Sequence, residues 1–239
     1  MLSKFLLSAS NVFVPTDPNF SNVVLLLHGD GTNGSTTFVD NSQNTFSPTV
    51  GGNAQITTAV KKYGTGSITL DGNGDYLSYA SNSLFDLSAD FTIECFINPA
   101  SVSGIQNLCA RQGTVGGDGL YQFRLNGTTL EFVLATNGNT SVFTLATGSG
   151  QFSTGNWDHV AVTRSSTSIR LFINGTLLAV GTSSYSATSA TRPFTLGILN
   201  DTSGFFTPYN GRIDEFRFTR GVARYTSSFT APTEPFPNQ

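Results

Sequence analysis

Four aspartates are the side chains best placed in this sequence to bind an ion. All four lie in turn or strand-end motifs, and they are Asp30, Asp71, Asp75 and Asp214. Calcium takes six to eight oxygen ligands at relaxed geometry, which carboxylates and loop carbonyls can provide. Alternatively, Asp71 and Asp75 cap the DGNGD turn by accepting hydrogen bonds from backbone amides. A structural calcium ion and simple turn capping both stay open.

A second candidate site is a set of aromatic residues in the loop-rich stretch 185–210. Its members are Tyr185, Phe205, Phe206 and Tyr209. Exposed rings in this stretch would give a platform on which a sugar stacks, and the adjacent Phe205-Phe206 pair is unusual for a loop. Loop aromatics also commonly turn inward and fill the core. The predicted glycan-binding site therefore has a purely structural alternative.

The acidic residues do not match the requirements of glycoside hydrolysis. That reaction needs two carboxylates about 5–10 Å apart across a cleft, and the Glu-x-Asp-x-x-Glu string of glucanases is absent. Asp214 and Glu215 are the only adjacent acids, and alternation along a strand would point them to opposite faces. Glu94 and Glu131 each stand alone among apolar neighbours. We therefore expect no catalytic residues and no enzyme activity.

The histidines and cysteines suggest no metal site. Neither His28 nor His159 has a second His or Cys at zinc-ligand spacing, so each is expected to be buried and bonded to backbone or to a carboxylate. Cys95 and Cys109 lie on successive predicted strands and could form one bridge. The alternative is two buried thiols, because a free Cys packs as a small hydrophobe.

Composition restricts the partners of the chain. Charged residues make up 11% and the net charge is -3, so no basic field steers the chain towards nucleic acid. No run approaches the roughly 18 apolar residues of a membrane span. We predict no nucleic-acid binding and no membrane insertion.

Short β-type runs recur along the chain at regular spacing. Three Asn-Gly pairs predict type I′ hairpin turns, because both residue types tolerate positive φ, and they are Asn126-Gly127, Asn137-Gly138 and Asn174-Gly175. No window has the apolar spacing of an amphipathic helix. The prediction is an all-β fold, a two-sheet antiparallel jelly-roll sandwich of about a dozen strands.

The two ends differ from this pattern and suggest three parts: an N-terminal arm at 1–21, a jelly-roll domain at 22–232 and a Pro-rich extended tail at 233–239. The arm could dock on a partner by strand addition or burial, or lie on its own domain, or fray. Its predicted docking residues are Phe5, Leu6, Leu7, Val12 and Phe13.

Four segments in order resemble the laminin-G-like, concanavalin-A-like jelly rolls of bacteriophage virion proteins. They are LLLHGDGTNGSTTFVD, GSITLDGNGDYLSY with FTIECFINP, NWDHVAVTR with LFINGTLLA, and YNGRIDEFRFTRGVARYTSSFTAPTEPFP. One departure is Gly29, where the family usually has an aromatic residue before the first Asp.

This resemblance implies a non-catalytic module, because the related virion domains contact neighbouring subunits or host-surface glycans, and related domains often hold calcium. It also implies a homo-oligomer, with a trimer expected, located in a virion that assembles in the host cytoplasm. A soluble carbohydrate-binding lectin is the main alternative, and a glycoside hydrolase is a remote one.

Overall fold

The computed structural model describes residues 16–111, 120–136, 140–189, 191–201 and 204–239. These residues contain two short 3-10 turns, Phe20–Asn22 and Ser83–Phe85, and no α-helix. The strands, β1 to β17 in chain order, are Val23–Leu27, Thr49–Gly51, Gln55–Thr57, Ser67–Asp71, Tyr76–Tyr79, Phe91–Pro99, Ile105–Arg111, Leu120–Asn126, Thr129–Thr136, Thr140–Ala146, Asp158–Ser165, Ser168–Ile173, Thr176–Thr182, Phe194–Leu196, Leu199–Asp201, Gly204–Phe206 and Asn210–Arg220.

The strands form two antiparallel sheets that pack face to face. The eight-stranded sheet has the order β13-β12-β11-β6-β17-β4-β3, with β1 paired to β17, and the seven-stranded sheet has the order β10-β9-β8-β7-β14-β5-β2. β15 and β16 make a separate hairpin. This confirms the predicted all-β, two-sheet sandwich. In the described part of the chain, no helix is long and apolar enough to cross a bilayer.

The core lies between the sheets and takes alternate residues from each strand. On β6, for example, Ile93, Cys95 and Ile97 point into it. Cys95 and Cys109 come from opposite sheets and are buried, free thiols. Burial raises the pKa of both, which leaves them neutral. Of the two interpretations, the pair of buried thiols is therefore confirmed.

The outer face of the eight-stranded sheet is covered by the chain itself. Residues 221–239 cross it without regular secondary structure. Tyr225 and Phe229 stack with ring centroids 3.5 Å apart, and Phe236 is buried in a small cluster with Val23 and Leu26. The predicted tail 233–239 is thus packed on the domain. The docking residues predicted in the arm lie outside the described residues, so that prediction stays untested.

The Asn-Gly turns can be compared with the backbone at two places. Asn174 and Gly175 have φ of 49° and 78° between the paired residues Ile173 and Thr176, the geometry of the predicted turn. At the first pair, Asn126 still belongs to β8, and the loop residues are 127 and 128. Asn137-Gly138 lies outside the described residues.

β17 contains a bulge, with one extra residue between its pairings to β6. Asp214 pairs with Phe96 but Arg217 pairs with Glu94, and Glu215 has φ of 52°. Ile213 and Phe216 both belong to the core, so the two acids between them lie on the outer face. The prediction that Asp214 and Glu215 point to opposite faces is wrong, because a bulge breaks the alternation.

Candidate functional site

A cavity opens where β1 ends and the chain turns through His28, Gly29 and Asp30. Gly29 has φ of 73°, and a Cβ there would lie 3.0 Å from Ser67 Cα. Only glycine combines that φ with such a close approach to β4. An aromatic residue in place of Gly29 would not fit this backbone.

This cavity, the β1-end cavity, has a volume of about 250 Å³ and combines polar and apolar walls. Val39 on its apolar side is 57% exposed, so that wall is open to a ligand. The polar wall carries an imidazole, a carboxylate and two amides. The residues that form the two walls are Phe38, Val39, Ile56 and Ile68, and His28, Asp30, Asn41 and Asn238.

Both ring nitrogens of His28 face oxygen acceptors. Nδ1 lies 2.8 Å from Glu215 Oε1, and Nε2 lies 2.6 Å from Asn238 Oδ1. Burial disfavours the imidazolium, but the hydrogen bond and charge of Glu215 outweigh it and raise the pKa of His28. Two donors toward two acceptors fit a protonated ring. The expectation of a histidine bonded to a carboxylate is confirmed here.

One carboxylate oxygen of Asp30 accepts hydrogen bonds within the described residues, and the other does not. Its Oδ1 accepts hydrogen bonds from the Thr65 backbone N–H, from Thr65 Oγ1 at 2.9 Å and from Gly66 N at 3.2 Å. Its Oδ2 accepts none from the described residues. Asp30 is exposed, so Oδ2 can accept a hydrogen bond from a ligand.

Asp71 and Asp75 lie together in the β4–β5 turn. Asp71 Oδ1 accepts from Asn73 N at 2.7 Å, and the two Asp75 oxygens accept from Asn53 N at 2.6 Å and Asp71 N at 2.9 Å. With its amide nitrogen turned to the carboxylates, Asn53 also donates to Asp75 Oδ1 at 2.7 Å and Asp71 Oδ2 at 3.1 Å. These are the bonds of the turn-capping interpretation.

Asp214 belongs to a third environment. Its Oδ2 accepts from Lys62 N at 2.7 Å and Tyr63 N at 3.1 Å, while Oδ1 is buried and has no hydrogen-bond partner in the described part of the chain. Burial raises the pKa of Asp214 to about 7, against the effect of those amides. The four predicted ligands thus do not form one cluster. Within the described ranges, no three His, Cys, Asp or Glu residues are arranged to hold a metal ion.

The four aromatic residues predicted to bind a glycan also do not form one exposed surface. Tyr209 is fully buried in the core and cannot stack on a sugar, so its assignment is corrected. Tyr185 is half-buried against the core, and Phe206 is 41% exposed. Phe205 lies on β16, but its side chain is outside the described set. Phe206 alone keeps a ring known to be open to a ligand.

Glu94 has charged neighbours, contrary to the sequence-based expectation. Its Oε1 accepts from Arg217 Nη2 at 2.8 Å, and its Oε2 lies 3.1 Å from His159 Nε2 and 2.9 Å from the Tyr225 hydroxyl. Asp17 continues this buried network through Arg217 at 3.2 Å. Glu131 is likewise paired, since Arg124 Nε lies 2.8 Å from it. Both acids, which stand among apolar neighbours in the sequence, are thus paired with charged residues in the fold.

Residues 71–223 match the family model of the Concanavalin A-like lectin/glucanases superfamily. The chain belongs to this superfamily. No curated protein matches the chain in sequence. Similar solved structures include the binding domain of Paraclostridial Mosquitocidal Protein 1, with a TM-score of 0.63 and 15% identity over 88% of this chain and 50% of that one.

Two further solved structures with a similar fold come from botulinum neurotoxins. The serotype D binding domain has a TM-score of 0.63 and 15% identity, covering 85% of this chain and 49% of that one. The binding domain of Botulinum Neurotoxin DC in complex with SialylT has a TM-score of 0.57 and 15% identity, covering 84% and 48%. This chain therefore spans about half of each, and the likeness is one of fold.

The superfamily includes glucanases, so the position of the acids matters. Asp214 and Glu215 are at most 1% exposed, and Glu215 is engaged by His28 and by Phe236 N at 2.8 Å. Glu94 is fully buried in its ion network. None of these three carboxylates faces a cleft that could hold a scissile bond.

Several residues of the β1-end cavity escaped the sequence interpretation. The HGDG string pointed to Asp30. Val39 and Asn41 could not be predicted, because they lie in a segment with no strand pattern. Asn238 reaches His28 across 210 residues of sequence. Asn238 follows directly after the YNGRIDEFRFTRGVARYTSSFTAPTEPFP segment and lies outside it, so no motif in the sequence pointed to this residue.

Proposed function

We propose that this chain is a non-catalytic carbohydrate-binding domain whose site is the β1-end cavity. The observation that carries the proposal is the free Asp30 Oδ2 beside two amides and the exposed Val39. The side-chain amide of Asn41 makes no hydrogen bond with a described residue, and Asn238 uses only its oxygen, toward His28. These groups are free to bind hydroxyls.

Sugars match this combination of groups. Their hydroxyls both donate and accept, as the carboxylate and the amides require, while their C–H faces pack against apolar side chains. The volume of about 250 Å³ suits one sugar ring with the remainder in solvent. Asp30 adds a negative charge to the lining, whereas Glu215 is paired with the protonated His28, so a neutral sugar is expected.

The superfamily and the fold neighbours support a binding role. The similar solved structures are named as binding domains, and one contains SialylT. Because this chain corresponds to about half of each, those names do not say which half of the neighbour makes the contact. The cavity geometry of this chain is therefore the main argument.

A titration of neutral sugars tests the proposal. Glucose, galactose, N-acetylglucosamine and their short oligosaccharides would be titrated into the labelled chain and followed by NMR. We expect Asp30→Asn and Asn238→Ala to weaken binding about tenfold, since each removes one polar contact. Gln43→Ala, an exposed position outside the cavity, is the control. Binding that survives both substitutions would place the site elsewhere.

A second candidate function is contact between virion subunits, and the edge strands favour it. β13 and β10 end the two sheets on the same side, where a Cβ on Gly181 would touch the Phe143 ring. Val142, Leu178 and Val180 are exposed there, and neither strand carries a charge. Uncharged apolar edges invite strand pairing.

The proposed location in a virion comes from the sequence resemblance. A subunit of a virion is expected to form an oligomer in solution. Light scattering of the full chain would measure its mass, with a homotrimer expected. Leu178→Lys with Val180→Lys should lower that mass to the monomer, and mass spectrometry of purified particles should detect the chain. A monomeric wild-type chain absent from particles would contradict this role.

A further inference from the structure

A second groove lies at the opposite end of β1 from the β1-end cavity. It has a volume of about 390 Å³, and its walls include Ser21, Asn22, Val23, Asn44, Leu84 and Arg220. Val23 and Leu27 are four positions apart, which is about 13 Å along a strand. The two openings are thus separate, and we call this one the Arg220 groove.

Arg220 has unused capacity to bind an anion. Its Nη2 donates to Ser88 Oγ at 3.2 Å, its Nη1 donates to none of the described residues, and its Nε is buried with no acceptor among them. Neither does the guanidinium form an ion pair with any carboxylate in that part of the chain. The acid next to it in the fold is Asp90, whose backbone O accepts from Gly221 N at 2.6 Å, but the Asp90 carboxylate is bound to Ser166 N at 2.7 Å.

The two amides of the groove present acceptors. Asn22 Nδ2 donates to Arg220 O at 3.2 Å, and Asn44 Nδ2 donates to Val24 O at 2.9 Å. With both nitrogens committed to backbone carbonyls, the two Oδ1 atoms remain, and neither accepts a hydrogen bond from a described residue. The groove therefore offers one cation, two carbonyl oxygens and the apolar surface of Leu84.

We propose that the Arg220 groove binds an acidic sugar through its carboxylate. A guanidinium and a carboxylate form charge-assisted hydrogen bonds, which are the strong ones. Sugar hydroxyl or N-acetyl N–H groups supply the donors that Asn22 and Asn44 accept, and a ring face packs on Leu84. A ligand carboxylate would also balance the positive charge of the partly buried Arg220, which has no ion pair among the described residues. This site goes beyond the neutral-sugar cavity and does not depend on it.

The test uses the full chain and free sugars. N-acetylneuraminate and glucuronate would be titrated, with glucose as neutral comparator and acetate as simple anion. We expect the acidic sugars to shift the Arg220 Nε–H NMR signal and to bind at least about tenfold more tightly than glucose at this groove. Arg220→Gln should weaken them about tenfold or more. Arg170→Gln is the matched control, because Arg170 lies on β12 and, among the described residues, donates only to Ser168 O at 3.4 Å.

Each outcome decides the proposal. No shift of the Arg220 signal, or full affinity after Arg220→Gln, would overturn it. Acetate binding as tightly as the acidic sugars would refute the sugar class. Asp30→Asn should leave acidic-sugar binding unchanged, so failure of the β1-end cavity and failure of this groove are distinguishable.

Discussion

Arg217 donates two hydrogen bonds to the same oxygen of Glu94, from Nε at 3.0 Å and from Nη2 at 2.8 Å. The two residues face each other because the β17 bulge shifts the pairing by one residue. Without the extra residue, Arg217 would stand opposite Ile93. The bulge thus creates the buried ion network on the outer face.

The first prediction concerns this pair. Arg217→Met keeps much of the side-chain volume but leaves Glu94 with reduced compensation in a buried position. Removing one partner of a buried ion pair costs about 3–5 kcal/mol, so the free energy of unfolding should fall by that amount in urea titrations. Arg170→Met, at a half-buried position of β12 with no ion pair among the described residues, should change it by less than about 0.5 kcal/mol. An equally mild effect of Arg217→Met would contradict a role in stability.

The second prediction is a loss of stability as pH rises from about 4 to about 7. The folded state holds a proton on Asp214, whose pKa is raised by burial to about 7 from 3.8, while the unfolded chain has released it. The unfolded state then binds fewer protons, so stability falls with rising pH. Each pKa unit corresponds to about 1.4 kcal/mol. His28, with its raised pKa, contributes in the same direction at higher pH.

Asp214→Asn tests that assignment. The amide oxygen still accepts from Lys62 and Tyr63, so the variant should fold and show a flatter stability profile between about pH 4 and pH 7. Asp158→Asn, on β11, is the comparison and should keep the wild-type slope. A slope unchanged by Asp214→Asn would mean that another group carries the proton.

The third prediction concerns the tail that covers the sheet. The Phe236 ring lies 3.7 Å from the Arg217 guanidinium carbon and is 4% exposed. Phe236→Ala should cost about 3 kcal/mol and speed hydrogen exchange at residues 233–239. Glu234→Gln, at an exposed neighbour, should do neither. Wild-type exchange in the Phe236 variant would show that other contacts hold the tail.

The fourth prediction tests the proposal that calcium binds at the Asp71–Asp75 turn, where two of the four predicted carboxylates lie close together. Calcium bound there should raise the melting temperature, because a ligand specific for the folded state stabilises it. A chelator and Asp71→Asn should each remove the increase. An unchanged melting temperature would instead support turn capping as the whole role of these residues.

The sequence-based prediction succeeded where structure depends on near neighbours. The regular spacing of short β-type runs predicted the all-β sandwich, and the Asn174-Gly175 pair predicted its turn because both residues accept positive φ. It failed where the deciding contact is distant. The bulge at Glu215 depends on how β17 pairs with β6, and the burial of Tyr209 depends on the core above its loop.

The candidate site was likewise predictable only in its local part. The position of Asp30 after a buried strand was visible as a motif, whereas Asn238 joins the site only because the tail returns across the sheet. Arg220 was not predicted as a ligand-binding residue, because nothing in a sequence reveals that a cation lacks a partner.

The pairing of β1 with β17 also has a consequence for how the chain acquires its structure. Val23 and Thr219 are register partners separated by almost the whole domain. During synthesis β1 therefore cannot pair until β17 has been made. Its apolar residues remain unpaired and exposed until then. Such long-range pairing slows folding and lengthens the time in which wrong partners can associate. We expect this domain to fold after translation is nearly complete and to benefit from chaperones that shield β1.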